Sequence, residues 1–445
     1  MHDEELMGIE HVLCSKEPDN VSSELVKRAG ERLGYPVDVI TQLIQPDQVL
    51  VFRLPVEIFG KVISPYGCIV LHNNARGPYK GGIRMANDVD VWETSELARL
   101  MSLKTAIAGI EFGGGKSGIK VDMNALYQLF GVKERNLEFE GIIKRAIIAK
   151  YATLHKELLR SRTYVPAPDM GTGGPEMAVI SSVTGEPASV TGKPEGINGW
   201  LAGRREATGY GVATAVLETL DYLGIPANQA KIAMQGFGNV GSYAALYLAE
   251  QGVKLMGVVD IFGGVQDPNG LDVPALFKYA GQHGTVKGFN NQSLTNEELF
   301  KMEVDVLIPA AGGHVLNKET SPGVNAKAVV SAANMPATPE GMAILEEKQV
   351  YIFPDIVANS GGVVASNLEY AASLSAKPAK QEEVLEFVGE RIKASFQDFN
   401  KIATEEKISP TEAAIQLAVQ RIYDAMKLRG QLNNQSFDLG KLTGN

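Results

Sequence analysis

The sequence predicts an α/β protein with an N-terminal α/β domain, a second domain built on a doubly wound parallel sheet, and C-terminal helices. Between residues 231 and 353, five short apolar runs alternate with helical patterns, which is typical of parallel strands covered on both faces. After Asn359 the pattern is wholly helical. A chain of 445 residues also exceeds what one core usually organises. We therefore expect domains over 1–200 and 201–364, with helices in 365–445 that pack back on the first domain.

The elements of the first domain follow in chain order from helix and strand signals. Ser22 and Ser23 are suited to cap a helix that runs to Gly34, and residues 49–58 and 68–72 have the composition of strands. A helix over 91–108 places Lys104 on a face with apolar neighbours, so we expect this lysine to be partly buried. An amphipathic region, 134–159, leads into a Pro/Gly-rich loop over 165–175.

The second domain is predicted to begin with a helix over 208–223. Its strands are predicted at 231–235, 253–259, 304–308, 328–331 and 350–353. Further helices are expected over 381–407 and from Ser409, where Pro410 and Glu412 complete a capping box with proline in the first turn. Gly430 is suited to end that last helix.

The composition excludes several classes of function. The formal net charge is -10, and no basic cluster is longer than Arg204-Arg205, which argues against nucleic acid or an anionic membrane as the partner. Two cysteines, Cys14 and Cys68, are too few for a disulfide framework or a structural zinc site, so we predict no metal and a reduced cytoplasm. The chain starts with acidic residues and has no run of ~20 apolar residues, so neither export nor a membrane span is expected.

The segment GFGNVG at 236–241 indicates a dinucleotide site. It follows a predicted strand and opens a predicted helix, so that Gly236 forms the turn, Gly238 admits a pyrophosphate and Gly241 lets helix and strand pack closely. The next strand ends at Asp260, which is placed to accept a hydrogen bond from a ribose 2′-hydroxyl. These features predict a Rossmann-like domain that prefers NAD, while a basic group from elsewhere in the fold leaves NADP open. The remaining residues assigned to this turn are Phe237, Asn239 and Val240.

A second glycine cluster surrounds Lys116. It is not a phosphate-binding loop, because the glycine required six positions before the lysine is Ile110. Together with Lys80 and Lys104, Lys116 predicts a pocket for an anionic substrate, and Asp169 is the carboxylate of the stiff 165–175 loop that is suited to compensate them or to act as an acid or base. The spacing alone leaves open a solvated loop lysine and a purely structural charge network.

The ordered motifs resemble the glutamate/leucine/phenylalanine/valine dehydrogenase family. Matching segments run over about 290 residues, and their number makes them more specific than any single one: GPYKGGIRM, LKTAIAGIEFGGGKSGI, VPAPDMGT, GRREATGYGV, GFGNVG, IPAAGGHVLN and VANSGGVVASNLEY. The resemblance implies reversible oxidative deamination of an amino acid to its 2-oxo acid and ammonium with NAD or NADP, in a homohexamer. Trp200, Leu201 and Met335 depart from the family pattern, and all three lie on the coenzyme side.

The resemblance also implies roles for individual residues. Lys116 corresponds to the catalytic lysine and Asp169 to the aspartate that handles the amino-group proton. Lys104 matches the position that binds the α-carboxylate, and Lys80 with Ser366 matches the pair that binds a side-chain carboxylate. Asn359 matches a substrate-binding asparagine that also lies near the nicotinamide, Thr208 matches a residue that contacts the nicotinamide carboxamide, and Asn334 is assigned to the cofactor.

Lys80 favours glutamate and 2-oxoglutarate as the substrate pair. A buried cation facing a hydrocarbon side chain would be left unpaired, at a cost of several kcal/mol. A leucine-, phenylalanine- or valine-type dehydrogenase is the first alternative. An inactive dinucleotide-sensing subunit is a remote one, because Lys116 and Asp169 are both present.

Overall fold

A computed structural model of the chain describes residues 21–375 and 379–432. Cys14 and the acidic start of the chain, on which part of the export prediction depends, lie outside the described residues. The same holds for residues 376–378 and 433–445 of the predicted C-terminal helical region.

The first sheet has five strands and is accompanied by a separate two-stranded hairpin. In chain order the strands are β1 (Gln48–Arg53), the hairpin pair β2 (Val56–Ile58) and β3 (Lys61–Ile63), β4 (Tyr66–Asn73), β5 (Tyr79–Ala86), β6 (Gly114–Lys120) and β7 (Tyr164–Pro168). The spatial order is β1-β4-β6-β5-β7. Strand β5 is parallel to both β6 and β7, whereas β4 is antiparallel to β1 and β6. The neighbours β5, β6 and β7 carry the GPYKGG, GGGKSG and VPAP segments.

Helices cover both faces of this sheet. They are α1 (Val21–Arg32), α2 (Val37–Ile44), α3 (Val91–Ile107), α4 (Met123–Phe130), α5 (Leu137–Leu154), α6 (Lys156–Arg160) and α7 (Gly174–Thr184). One face buries Ile69, Ile83 and Ile119 in a core with α5 and α7. The other face packs against α3, where the Cys68 thiol lies 3.4 Å from the Thr94 hydroxyl.

The second sheet has seven strands in the order β11-β10-β9-β8-β12-β13-β14. Their bounds are β8 (Lys231–Gln235), β9 (Lys254–Asp260), β10 (Gly263–Gln266), β11 (Ser293–Leu294), β12 (Val304–Pro309), β13 (Ala326–Val330) and β14 (Tyr351–Phe353). Strands β9, β8, β12, β13 and β14 are parallel, and β10 and β11 add an antiparallel edge. Ile232 and Met234 face one core and Ala233 the other, which confirms a parallel sheet covered on both faces.

The first helices of the second half cover the two faces of the second sheet, and the last ones pack against the helices of the first domain. They are α8 (Ala207–Tyr222), α9 (Asn239–Glu250), α10 (Val273–His283), α11 (Asn296–Lys301), α12 (Pro339–Glu347), α13 (Asp355–Ala358), α14 (Gly361–Ser375), α15 (Gln381–Glu406) and α16 (Pro410–Leu428). Three short 3-10 turns are Pro187–Ser189, Ala227–Gln229 and Ser321–Gly323.

The C-terminal helices pack back on the first domain, as predicted. Helix α16 lies against α1 and α3, and Arg421 Nη1 donates to the carbonyl of Ile107 at the end of α3 (2.7 Å). Ser395 of α15 donates to the same carbonyl (2.9 Å). The predicted capping box of α16 is present, since Ser409 Oγ accepts from Glu412 N (3.3 Å), and Gly430 follows in the left-handed conformation.

Several local predictions were wrong. Ser22 and Ser23 lie inside α1, where the Ser22 N–H donates to Glu96, and do not cap it. The predicted strand over 49–58 is two strands, β1 and β2, and the predicted loop over 165–175 starts as strand β7. The glycine-rich backbone around Lys116 is also a strand, because β4 and β5 hold it in a ladder although its own sequence lacks an apolar alternation.

Within the described ranges, no helix combines the length and the apolar character needed to cross a bilayer.

Candidate active site

Lys80 and Lys116 project from the same face of the first sheet. Lys116 pairs with Val70 across β4, and the register of Ile83 with Ser117 puts every second residue of β5 on the face of Lys116. That face carries Lys80 and Gly82 on β5. It is the face that α3 covers, so Lys104 of α3 approaches the same cleft. The strand ladder and one helix thus bring together three lysines that are dispersed over 37 residues of sequence.

Lys116 forms an ion pair with Asp169, which lies just after β7. The Asp169 carboxylate also accepts the Met170 N–H (2.6 Å). Burial raises the pKa of Asp169, but the charge and hydrogen bond of Lys116 outweigh it and hold this pKa below its usual value. Asp169 is therefore ionised in the absence of substrate, and the pair is poised for proton exchange with a group that enters between them.

Strand β5 requires glycine at two positions, because Asp169 and the adjacent strand β6 leave no room for side chains there. A Cβ on Gly82 would lie 2.6 Å from Cβ of Asp169, and a Cβ on Gly81 would lie 1.7 Å from the carbonyl oxygen of Gly115. The glycines of GPYKGG therefore let Asp169 and β6 approach the backbone that carries Lys80.

Lys80 is fully buried, and among the described residues its amine has no hydrogen-bond partner. Burial, reinforced by the positive charges of Arg204, Lys193 and Lys116, lowers the pKa of Lys80 to about 7, against the opposing effect of Glu369. A buried, unpaired ammonium group is a strong attractor for a carboxylate.

Three residues of this pocket were missed by the sequence analysis: Lys193, Arg204 and Glu369. Glu369 of α14 is fully buried and lies 3.3 Å from Lys193 Nζ and 3.9 Å from Arg204 Nε. Its carboxylate also accepts the N–H groups of Gly192 (2.7 Å) and Lys193 (3.2 Å). A glutamate inside the apolar helix pattern of VVASNLEY was the available signal, because such a residue is seldom buried without a cationic partner.

Lys104 connects the two sheets. Its amine donates to Asn359 Oδ1 (2.6 Å) and Asn334 Oδ1 (2.9 Å), and Asn359 Nδ2 donates to the same oxygen of Asn334 (3.0 Å). Burial lowers the pKa of Lys104 to about 8, with Asp355 opposing and Lys116 adding to the shift. Asn334, which the sequence assigns to the cofactor, thus contacts both Lys104 and Asn359.

Ser366 lies in the second turn of α14 and Thr208 in the first turn of α8. Ser366 is buried on α14, where its hydroxyl donates to Val363 O (2.7 Å), so it must rotate to bind a carboxylate. Thr208 lies in the first turn of α8, and its hydroxyl approaches Gly362 so closely that a Cβ there would be 2.6 Å away.

Met335 occupies a position that suits glycine. Its φ is 46°, in the left-handed region that non-glycine residues seldom adopt. The strained backbone presents the Met335 N–H to Asp355 (2.7 Å), beneath Lys104. The methionine at this position therefore adopts an unfavourable backbone conformation close to Lys104.

The GFGNVG turn forms one wall of a cavity of about 940 Å³. Gly236 has a φ of 99°, and a Cβ on Gly241 would lie 2.3 Å from Gly236 O, so both must be glycine. Gly238, Phe237 and Asn239 line the cavity, whereas Val240 and Gly241 do not. Nothing lies within 4 Å of where a Gly238 Cβ would be, which leaves open backbone at the N-terminus of α9.

Asp260 lines the same cavity, and its carboxylate accepts hydrogen bonds from neighbouring parts of the chain. Its carboxylate accepts from Phe262 N (2.8 Å), Thr285 Oγ1 (2.7 Å) and Val286 N (2.7 Å). A carboxylate offers about four acceptor sites, so one remains for a ligand hydroxyl. Among the described residues no cluster of three metal-ligating side chains occurs.

Two family models match most of the chain. The model described as Glu/Leu/Phe/Val dehydrogenase, dimerisation domain, matches residues 46–185, and the model described as Glutamate/Leucine/Phenylalanine/Valine dehydrogenase matches 199–430. The glutamate dehydrogenase of Thermotoga maritima is 36% identical over 92% of this chain and 97% of its own. The NAD-specific glutamate dehydrogenase of Staphylococcus aureus is 31% identical over 91% and 96%.

A solved structure of a similar enzyme supports the same family assignment. The hetero-hexameric glutamate dehydrogenase of Thermus thermophilus, in a leucine-bound form, superposes with a TM-score of 0.83 at 29% identity over 94% of this chain and 99% of that one. The residues that line the cleft thus lie in a chain whose sequence and fold agree over nearly their whole length with these enzymes. The chain belongs to the glutamate/leucine/phenylalanine/valine dehydrogenase family.

Proposed function

We propose that the protein is a glutamate dehydrogenase that catalyses the reversible oxidative deamination of L-glutamate to 2-oxoglutarate and ammonium with NAD. The carrying observation is the buried, unpaired Lys80 beside Arg204, because a pocket with these two cations requires a carboxylate at the far end of the substrate. The similar enzymes of Thermotoga maritima and Staphylococcus aureus are both named glutamate dehydrogenases, which supports glutamate as the substrate.

In this proposal two cations fix the two ends of the substrate. Lys104 binds the α-carboxylate, which replaces the oxygens of Asn334 and Asn359 that now hold its amine. Lys80 binds the side-chain carboxylate, with Ser366 and Arg204 beside it. Holding a substrate at both ends orients the bond to be broken, and orientation of this kind is worth several kcal/mol of the barrier.

The Lys116–Asp169 pair carries the proton chemistry. The nicotinamide ring of the dinucleotide, when bound, supplies the acceptor for the hydride from Cα. After Lys116 has passed its proton to Asp169, its neutral amine takes a proton from a water molecule that attacks the carbon of the resulting iminium group; through Lys116 and Asp169 the two protons of the water reach the nitrogen, which leaves as ammonium. Because both side chains are largely buried, their proton exchange is screened from bulk water.

The cavity at α9 fits a dinucleotide. Gly236, Gly238 and Asn239 would hold the pyrophosphate, and Asp260 would accept a ribose hydroxyl while repelling a 2′-phosphate. NAD-specific enzymes among the relatives support NAD as the coenzyme. NADP is the alternative, and Lys287 is the cation that would serve it, since its side chain passes 3.3 Å from a Cβ position on Gly263.

We further propose the division into residues 1–200, 201–364 and 365–445, a homohexameric assembly and a cytoplasmic location. Strand β1 is an edge of the first sheet, and its Val49, Leu50 and Val51 are exposed, which favours pairing with another copy. The structurally similar glutamate dehydrogenase of Thermus thermophilus is a hetero-hexamer, which supports an assembly of six subunits. Light scattering of the purified protein measures the mass directly, and a mass near 48 kDa would exclude assembly.

The proposed cytoplasmic location is supported by the cysteine content. The chain has only two cysteines, which agrees with a reducing compartment, where disulfides are rare.

A spectrophotometric screen tests the function. Formation of reduced coenzyme is followed with glutamate, leucine, phenylalanine and valine, each with NAD and NADP. Turnover with glutamate and NAD is expected. Preference for an apolar amino acid would assign the alternative specificity of the family. Binding of dinucleotide without turnover of any amino acid would instead assign the inactive sensor.

A further inference from the structure

The neighbouring residues Arg204 and Arg205 face two different sites. Arg204 lies in the substrate pocket beside Glu369, whereas Arg205 lines the dinucleotide cavity above the glycine-rich turn. Among the described residues that line this cavity, Arg205 is the only Lys or Arg and Asp260 is the only carboxylate. The charges are thus separated, with the cation at the turn and the carboxylate where β9 ends.

Asn239 holds Arg205 in place over the start of α9. Arg205 Nε donates to Asn239 Oδ1 (3.0 Å), and Asn239 Nδ2 donates back to the carbonyl of Arg205 (2.9 Å). The guanidinium carbon also lies 5.9 Å from the ring centroid of Tyr243, one turn further along α9. Both ends of Arg205, its backbone and its head group, are therefore tied to the helix that begins with the GFGNVG turn.

The outer part of the guanidinium group is free for a ligand. Only Nε is used in the contact with Asn239, and in the described part of the chain Arg205 forms no ion pair with a carboxylate. Four N–H bonds of the two Nη atoms remain, in the fork geometry that matches phosphate oxygens. Arg205 is also exposed, so that a ligand entering the cavity reaches it without displacing another side chain.

We infer that Arg205 is a binding residue for the coenzyme phosphates, acting with the N-terminus of α9. This inference rests on the proposed function, because it takes the dinucleotide as the occupant of the cavity. A pyrophosphate brings two negative charges, whereas a helix N-terminus offers only about half a positive charge. A pre-positioned arginine supplies the missing charge, and its attachment to Asn239 reduces the entropy lost on binding.

Binding of coenzyme fragments tests this role independently of turnover. Dissociation constants of NADH, ADP and adenosine are measured by fluorescence or calorimetry for the wild type, Arg205→Ala and Arg205→Lys. Loss of a charge-assisted contact predicts about tenfold weaker binding of NADH and ADP to R205A, and adenosine binding within about twofold of wild type. R205K, which keeps the charge but loses the fork, is expected between the two.

Lys327→Ala is the matched control. It removes one positive charge from the same sheet, but Lys327 pairs with Asp305 at the opposite end of the strands, so K327A is expected to bind all three ligands as the wild type does. ADP binding by R205A at wild-type strength would overturn the inference. Equal loss of ADP and adenosine would also overturn it, because Arg205 would then only shape the cavity. A wild-type protein that binds no NADH would overturn the proposed function itself.

Discussion

The lowered pKa of Lys80 makes dicarboxylate binding dependent on pH. Below pH 7 the free site carries a charged Lys80, and above it the amine is largely neutral, because its pKa is about 7. A carboxylate that binds beside the amine raises this pKa, because it favours the charged form. Proton binding and carboxylate binding therefore favour each other, and the affinity for 2-oxoglutarate must fall as the pH rises.

The size of the effect follows from the pKa of about 7 in the free site, with Lys80 remaining protonated in the complex. Between pH 6 and pH 8 the fraction of free sites that carry a charged Lys80, and with it the affinity, should fall about tenfold, and at pH 7.5 most sites should take up a proton on binding. Calorimetry of 2-oxoglutarate into the NADH-saturated protein, without ammonium, measures both quantities when it is repeated in buffers of different ionisation enthalpy. Lys104, with a pKa of about 8, contributes little below that pH.

Lys80→Leu is the control for this prediction. The variant should bind 2-oxoglutarate more weakly at pH 6 and should lose both the slope between pH 6 and 8 and the proton uptake. It is also expected to raise the KM for glutamate and to accept apolar amino acids better, since a hydrocarbon side chain then meets a hydrocarbon wall. A wild-type affinity that is constant from pH 6 to 8 would refute the assignment of Lys80, as would an unchanged slope in the variant.

Three further predictions test other parts of the site. Lys116→Ala and Asp169→Asn should each abolish turnover while NADH still binds with the dissociation constant of the wild type. A turnover rate equal to that of the wild type in either variant would contradict the catalytic assignment. Met335→Gly should raise the free energy of unfolding by about 1 kcal/mol, because the left-handed backbone costs a non-glycine residue roughly 1–2 kcal/mol and the flexibility of glycine offsets part of that. A lower urea midpoint would contradict it. Glu369→Gln should lower the free energy of unfolding by about 3 kcal/mol, because it leaves the buried Lys193 without its anion. A midpoint equal to that of the wild type would show that Glu369 is not needed to hold the cations.

The second sheet could be predicted from sequence and the first only in part. The runs that became β8, β9 and β12 are continuous and apolar because both of their faces are buried, so they stand out from the surrounding helices. Strands β5 and β6 are rich in glycine and lysine, which are depleted in strands, and few of their residues favour one. They are strands because β4 and β7 supply ladder partners, which is information that lies elsewhere in the chain.

The same distinction applies to the site. Lys80, Lys104 and Lys116 could be selected as a group, because a lysine beside glycines or on an apolar face is unusual in any local window. Lys193 and Arg204 could not, because only the fold places them around Glu369. The sequence assigns Asn334 to the cofactor, and only the fold brings its side chain to Lys104, 230 positions earlier in the chain.

The arrangement of charge explains why an acidic protein binds a dianion. Five cations of the pocket, Lys80, Lys104, Lys116, Lys193 and Arg204, face three carboxylates, Asp169, Glu369 and Asp355, so at least two positive charges lack an internal partner when all five are protonated. Burial is the main cause of the lowered pKa of Lys80, and the neighbouring positive charges lower it further. A ligand with two negative charges balances the two excess positive charges. 2-Oxoglutarate has two such charges, whereas the ammonium group of glutamate cancels one of its own. The pocket is therefore more complementary to the oxo acid than to the amino acid. Burial and the neighbouring cations make Lys80 release its proton in the empty site, and the carboxylate of the oxo acid makes it regain that proton on binding.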